Sequence, residues 1–577
     1  MAKRVRIVML ISMLCLCISL LVVGVFAVST ITFNVSSSLN YQIEKPVAVP
    51  EYFTYRNNTI TGLSNDYTSL ETKPETLVIP STDLNGNKIT SITSGTSSTA
   101  TFKDIQSSKV IIEEGITSIG SYAFRNCTSL TSVSLPSSLT SVGYSSFQGC
   151  TNLNSMDYLG TLEQWCTISF ANDYSNPTFY SKALYINGEG VTNLVIPEGL
   201  DTIGNYTFYC CKNIISLTLP SSVKNIGDYA FASCIGLTSL TIPEGVETIG
   251  EYAFSACTYI KSIILPESLK KVEHAGFNGF ISLNTVNYSG TLAQWCSINF
   301  MGTLSSPTAY AKELYINGEK IVNLVISEEI EKIGDYAFHG YTALKSVTLQ
   351  SGVKIIGNNA FSGCSNLKSV NILSDLEEIE EGAFSVCSNL DITLPSSLKI
   401  IQGEAFYSCT INSMNYLGSI EQWCAIDFGD RDSNPASKNR ALCINGETVT
   451  NLVVPEGVET IGEYTFYYCK NLISISIPSS VTSIGDYAFY SCSLLTNIEI
   501  PSSVTSIGSS AFFGCSNLTS LTINTQAGYV WQKASNSTFT SDLSIVDLSN
   551  ASQNATWFKN TYGYHNCYWR QIEESAA

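Results

Sequence analysis

The chain has 577 residues and carries 30 Lys plus Arg against 48 Asp plus Glu, for a formal net charge of −18. It is 44% hydrophobic and only 14% charged, which excludes general disorder. The acidic balance argues against a nucleic-acid partner, because phosphate contacts need clustered Lys and Arg. Three dispersed histidines, His274, His339 and His565, argue against a His-rich metal site, and nineteen cysteines leave disulfides, metal and core packing to be separated by spacing.

At the N-terminus, Lys3, Arg4 and Arg6 precede an apolar run from Ile7 to Val28 broken only by Ser12, Ser19 and Gly24. A basic start, an apolar stretch and a small-residue exit at Ala27 fit a secretory signal peptide. At about 20 residues the run is also long enough to span a bilayer as an uncleaved anchor. Residues 1–28 are therefore predicted to be a signal peptide or a signal anchor, leaving the body outside the cell, secreted or tethered to the membrane by this segment. Bulky Leu16 before Cys17 argues against a lipoprotein signal. Residues 29–76 read as an N-terminal extension without repeats, leading into a capping unit at Leu77-Val78-Ile79-Pro80.

The body is a repeat. Prolines 197, 220, 243 and 266 are spaced by 23 residues, as are prolines 455, 478 and 501. The unit is clearest from Pro243, with Val246, Ile249, Gly250, Ala253, Phe254, Cys257, Ile260, Ile263 and Leu265 at fixed offsets. The phenylalanine at offset +11 recurs in thirteen units, from Phe124 to Phe512. A 23-residue unit cannot bury its own apolar face, so neighbours must stack and share one continuous core. The alternation in Leu237–Ile242 predicts a short strand, and stacked copies predict a parallel sheet with strands about 4.8 Å apart. The Ile-Gly-x-x-Ala-Phe segment then packs the opposite wall as a short helix or an irregular turn.

The pattern Ile-Pro-x-x-Val-x-x-Ile-Gly-x-x-Ala-Phe-x-x-Cys-x-x-Leu, as at Ile477 to Leu495, resembles the leucine-rich repeats of the BspA-like family of bacterial and protist surface proteins. The resemblance implies an α/β leucine-rich-repeat solenoid with a parallel β-sheet on one face, over residues 77–524. It also implies adhesion to host matrix proteins and coaggregation.

Three longer units of 38 residues punctuate the array, each with Gln-Trp-Cys, at Trp165, Trp295 and Trp423. Each continues to Ile-Asn-Gly, read as a strand entering a tight hairpin in which Gly supplies positive φ. The three tryptophans are candidate aromatic platforms for a sugar or peptide; the alternative is that each fills a small core of its own unit.

Eleven units place Cys at +14, where Phe280 and Tyr341 stand in two others, so the slot reads as buried packing with reduced thiols. Cys166, Cys296 and Cys424, each beside a Trp, read likewise, and Cys567 is the least constrained. On each strand offsets +19 and +21 should face outward. They are Ser, Thr or Asn throughout except at Asp157, Ile264, Asp391 and Glu499. Ser216, Thr218, Ser239, Thr241, Ser474 and Ser476 are thus candidate binding residues on a surface that such arrays use for partners. A low-charge strand face without any ligand has the same composition.

Glu113-Glu114, Glu328-Glu329 and Glu377-Glu378 fall in solvent-facing turns, where they serve solubility, and no motif for hydrolysis, phosphate or metal binding is found. No catalytic residue, cofactor or metal is expected, and an enzyme accessory domain is disfavoured. Residues 525–577, with Trp531, Trp557, Trp569 and several tyrosines, have the aromatic area to cap the open end of the core. The sequence points to an exported, non-catalytic surface protein that binds an extracellular protein or glycan of a host or neighbouring cell. The alternative is a structural or display spacer without a specific ligand.

Overall fold

The computed structural model describes residues 46–576 apart from Ser374, Ser541 and Tyr562, together with the strand pair Phe33–Val35 and Leu39–Tyr41. The predicted signal peptide or anchor lies outside the described residues. Among the described residues, no helix is long and apolar enough to cross a membrane.

Each repeat contributes one turn of a coil with two walls. The first wall is the predicted one. Strands such as Ser239–Thr241, Ser262–Leu265 and Thr285–Tyr288 pair in parallel, with Ser239 opposite Ser262 and Ser262 opposite Thr285. Their burial alternates because successive side chains leave opposite faces of the sheet.

For the second wall the sequence predicts a short helix or an irregular turn. It is a turn flanked by a second parallel ladder of two-residue strands, Asn225–Ile226, Thr248–Ile249 and Lys271–Val272. Helices belong to the longer units and the ends, not to the standard repeats. The turn that follows runs through two left-handed residues per repeat, Tyr229 (φ 55) and Ser233 (φ 62) in one turn, Tyr252 (φ 52) and Ala256 (φ 60) in the next. That conformation costs a non-glycine residue roughly 1–2 kcal/mol. The cost is offset by main-chain bonds between turns. Tyr229, Phe231 and Ser233 donate their N–H groups to the carbonyls of Glu251, Ala253 and Ser255 at 2.8, 2.8 and 2.7 Å.

The Gly at +7 has a different reason. A Cβ on Gly250 would stand 2.7 Å from the carbonyl carbon of Gly227 and 2.8 Å from the amide nitrogen of Asp228. Two backbones meet there, and only glycine lets them.

Between the walls, one apolar core runs from Phe53 to Trp569. Its spine is the phenylalanine column, in which Phe208, Phe231 and Phe254 stack at 5.2 and 5.3 Å. The column is stabilised by area removed from water and by offset ring stacking. Outside it a second column, Tyr206, Tyr229 and Tyr252, stacks at 5.0 and 4.9 Å.

The second wall starts earlier than the 77–524 boundary. The hairpin Phe53–Arg56 and Thr59–Leu63 joins it in parallel, Thr59 opposite Ser91, and Phe53, Ile60 and Tyr67 enter the core. Part of the segment read as an extension is thus the N-terminal cap. At the other end, strand Tyr568–Glu573 pairs antiparallel with Ser506–Ile507, and helix Ala551–Asn560 packs over the last first-wall strand, Ser520–Ile523. Phe558, Trp531 and Trp569 close the core there.

Candidate binding surface

The outward face of the first wall is built as the alternation requires. Ser216 and Thr218 flank Leu217, Ser239 and Thr241 flank Leu240, and Ser474 and Ser476 flank Ile475; the six polar residues are exposed on one face. Part of their hydrogen-bonding capacity is spent between rungs: Ser216 Oγ donates to Asn193 Oδ1 and Ser474 Oγ to Asn451 Oδ1, both at 2.7 Å.

The tryptophans do not share that surface. Trp165, Trp295 and Trp423 are fully buried. Each sits on a short helix, Leu162–Cys166, Leu292–Ser297 or Ile420–Cys424, started by a capping box: Thr161 with Gln164, Thr291 with Gln294, Ser419 with Gln422. The Ser/Thr-x-x-Gln spacing that announces the box is plain in all three copies. The indole packs between Tyr288 (5.3 Å) and Phe300 (5.5 Å) in the second copy, and between equivalent rings in the others. Its Nε1–H donates to a carbonyl of the next turn: Thr207 at 3.0 Å, Ala337 at 3.0 Å, Thr465 at 2.9 Å. A ring with no exposed face cannot stack on a ligand, so the platform reading is corrected: these are core residues that tie one turn to the next.

That tie is needed because the ladders stop at each Trp unit. The first wall ends in a hairpin, such as Tyr185–Ile186 with Glu189–Gly190, turned through Asn187 (φ 51) and Gly188 (φ 81) as Ile-Asn-Gly predicts. The next strand, Asn193–Val195, does not rejoin it; it pairs forward, with Ser216–Thr218 only. In the first and third of these places the first wall is interrupted again one turn later, so Asn193–Val195 and Asn451–Val453 each belong to a two-stranded ribbon. A side chain staples each break. Asn213 Nδ2 donates to the carbonyls of Leu184 and Val191 at 3.0 Å, and its Oδ1 accepts from Leu184 N–H at 3.2 Å. At the second break, Ala343 stands at that offset, and the hydroxyl of Tyr341 takes over: it accepts from Leu314 N–H at 2.9 Å and donates to the Ile321 carbonyl at 2.7 Å. Tyr341 is thus not merely one of three apolar choices for the Cys slot.

The remaining Cys column is buried and all its thiols are free. Most also have a polar partner: Cys234, Cys257 and Cys492 donate to the carbonyls of Phe208, Phe231 and Phe466 at 3.1, 3.2 and 3.1 Å. Burial pushes the Cys257, Cys364 and Cys515 thiols up to about 12. Cys567, expected to be the least constrained, is buried against the Gly563 carbonyl; among the described residues Cys443 is the one only partly buried.

Two outcomes follow for the thiols. Iodoacetamide at pH 8 should label Cys443 first and leave the column unmodified until unfolding, read by peptide mass spectrometry, because the thiolate is the reactive form. Between the ordinary thiol value and about 12 the unfolded chain releases protons that these three folded thiols retain. Stability should therefore be fully present below the ordinary value and fall as pH rises above it. Urea midpoints that did not move between pH 7 and 10 would contradict this.

Fold and surface together define a leucine-rich-repeat β-solenoid. The family model for the BspA-type leucine-rich repeat region matches residues 91–189, 178–305, 310–431 and 440–567. The chain belongs to the BspA-type leucine-rich-repeat family, whose members are cell-surface proteins. Among solved structures it is similar to a leucine-rich cell surface protein from Faecalibacterium prausnitzii, at 22% identity, over 67% of this chain and 99% of that one, with TM-score 0.37. A leucine-rich-repeat protein from Bacteroides ovatus is 23% identical over 81% of this chain and 91% of that one, with TM-score 0.34. No curated protein matches.

Proposed function

We propose that this is an exported, non-catalytic surface protein that binds an extracellular protein or glycan in an adhesion-type role. The observation that carries the reading is the first wall's outward face. Ser216, Thr218, Ser239, Thr241, Ser474 and Ser476 present hydroxyls to solvent at a spacing set by the sheet. Many weak hydrogen bonds over a long rigid face suit a large, repetitive partner better than a small molecule. The rung-to-rung bonds from Ser216 and Ser474 favour the second reading, a display spacer whose polar face satisfies itself.

Binding of the purified chain to immobilised matrix proteins and to a glycan array separates the two. The adhesion reading expects saturable binding to one class, weakened when Ser239 and Thr241 are both replaced by lysine at unchanged melting temperature. No binding to either class, with assembly into ordered arrays, supports the spacer.

A further inference from the structure

The ladder breaks leave more than a discontinuity. At the third break, a cleft of about 630 Å³ opens between the hairpin Cys443–Ile444 and Glu447–Thr448 and the next first-wall strand, Asn451–Val453. It is lined by Ile420, Ile444, Asn445, Glu447, Thr448 and Val453 among others.

Three features of this cleft belong together. The first is the backbone. Asn451–Val453 is bonded on one side only, to Ser474–Ser476. In a parallel ladder alternate residues serve opposite neighbours. The Thr450 carbonyl and the Val454 N–H face the later turn. The main-chain groups of Asn451 and Val453 then face the cleft as a sheet edge without a strand partner. The second is an exposed aliphatic residue. Val453 is 65% exposed, and its counterparts beyond the other two hairpins, Val195 and Val325, are 59% and 53% exposed. In the standard units the same outward offset is Ser, Thr or Asn except at Asp157, Ile264 and Glu499, so Ile264 is the one aliphatic residue there. Duplication alone does not hold exposed positions constant in these units, since Thr167, Ser297 and Ala425 stand at one equivalent exposed site. The third is charge. Glu447 lines the cleft, and Glu189 and Glu319 occupy the same exposed hairpin position.

We propose that these breaks dock an extended, basic peptide segment of a partner protein as an added β-strand, the third of them in the cleft beside Asn451–Val453. The inference rests on the adhesion reading and specifies its partner. Main-chain donors and acceptors in alternation are answered by another extended backbone, which supplies affinity, while pockets beside the strand supply selectivity. Val453 gives an apolar contact for one side chain of the added strand, and Glu447 attracts a lysine or arginine on it. The staple at the third break makes fewer bonds than the one at the first. Asn471 holds the Val449 carbonyl through Nδ2, but its buried Oδ1 has no partner, whereas Asn213 Oδ1 holds Leu184 N–H at the first break.

The test is a random octapeptide library displayed on phage and panned against the full chain, with enriched peptides resynthesised. Expected are peptides rich in Lys or Arg alternating with aliphatic residues. They should lose roughly tenfold or more in affinity when alternate main-chain nitrogens are methylated, or when Val195, Val325 and Val453 are all changed to lysine. Hydrogen exchange should slow over residues 447–454 on binding. The proposal is overturned if no peptide is enriched, or if binding ignores N-methylation and the three substitutions. It is also overturned if the chain self-associates through this face and the V195K/V325K/V453K variant abolishes that, because the occupant is then a second copy. The same variant assayed on matrix proteins and glycans keeps the two readings apart: retained adhesion with lost peptide binding leaves the adhesion reading standing and places its site elsewhere.

Discussion

Trp295→Ala is expected to cost about 3–5 kcal/mol of stability, the range for emptying a buried large aromatic site. The indole is fully buried, packed between Tyr288 and Phe300, and its N–H reaches the Ala337 carbonyl 3.0 Å away across a break in both ladders. Truncation therefore removes apolar packing and one of the few polar ties between the turns on either side. Because each repeat contacts only its neighbours, the damage should stay local. Hydrogen exchange should accelerate over roughly residues 285–345 and remain unchanged in turns far along the coil. Urea unfolding reports the loss as an earlier first transition, since an array this long need not unfold in one step. Adhesion lost with melting and exchange both unchanged would restore the tryptophan as a ligand platform and defeat the core assignment.

Tyr341→Phe should be costly for its size. The change removes one oxygen, yet it strands Leu314 N–H and the Ile321 carbonyl, and a buried unsatisfied group costs about 1–3 kcal/mol. The partnership with Ala343 makes a sharper test. Tyr341→Cys alone should destabilise by a comparable amount or more. Tyr341→Cys combined with Ala343→Asn reproduces the Cys211 and Asn213 pair of the first break and should recover much of the loss. Equal stability of the single and the double variant, measured by thermal melting, would show that the hydroxyl is not the staple.

The polar outward face itself was legible from residue order alone. Period-2 alternation placed Ser239 and Thr241 outward and Leu240 inward, because a strand has only two faces. The hairpins followed from Ile-Asn-Gly, because an Asn-Gly pair accepts the two left-handed positions that a two-residue turn demands. The tryptophans were harder. An aromatic residue in an insert has the same spacing whether it lines a groove or fills a core, and the deciding partner, the Ala337 carbonyl for Trp295, lies 42 residues away. Along the chain Tyr341 looks like an apolar substitute for Cys, because a hydroxyl's partner is a relation between turns.

The sequence by itself determined the repeat, its register, the strand wall and the identity of the core columns. Each of these depends only on periodicity and on the need of a 23-residue unit to share its apolar face with a neighbour. Only the tertiary structure decided that the opposite wall carries a second ladder and that the N-terminal cap begins at Phe53. It alone showed that the ladders break at each Trp unit and that Trp, Asn and Tyr side chains bridge the gaps. Two-residue strands are too short to leave a period of their own. A break is a relation between turns, in which groups distant along the chain meet or fail to meet.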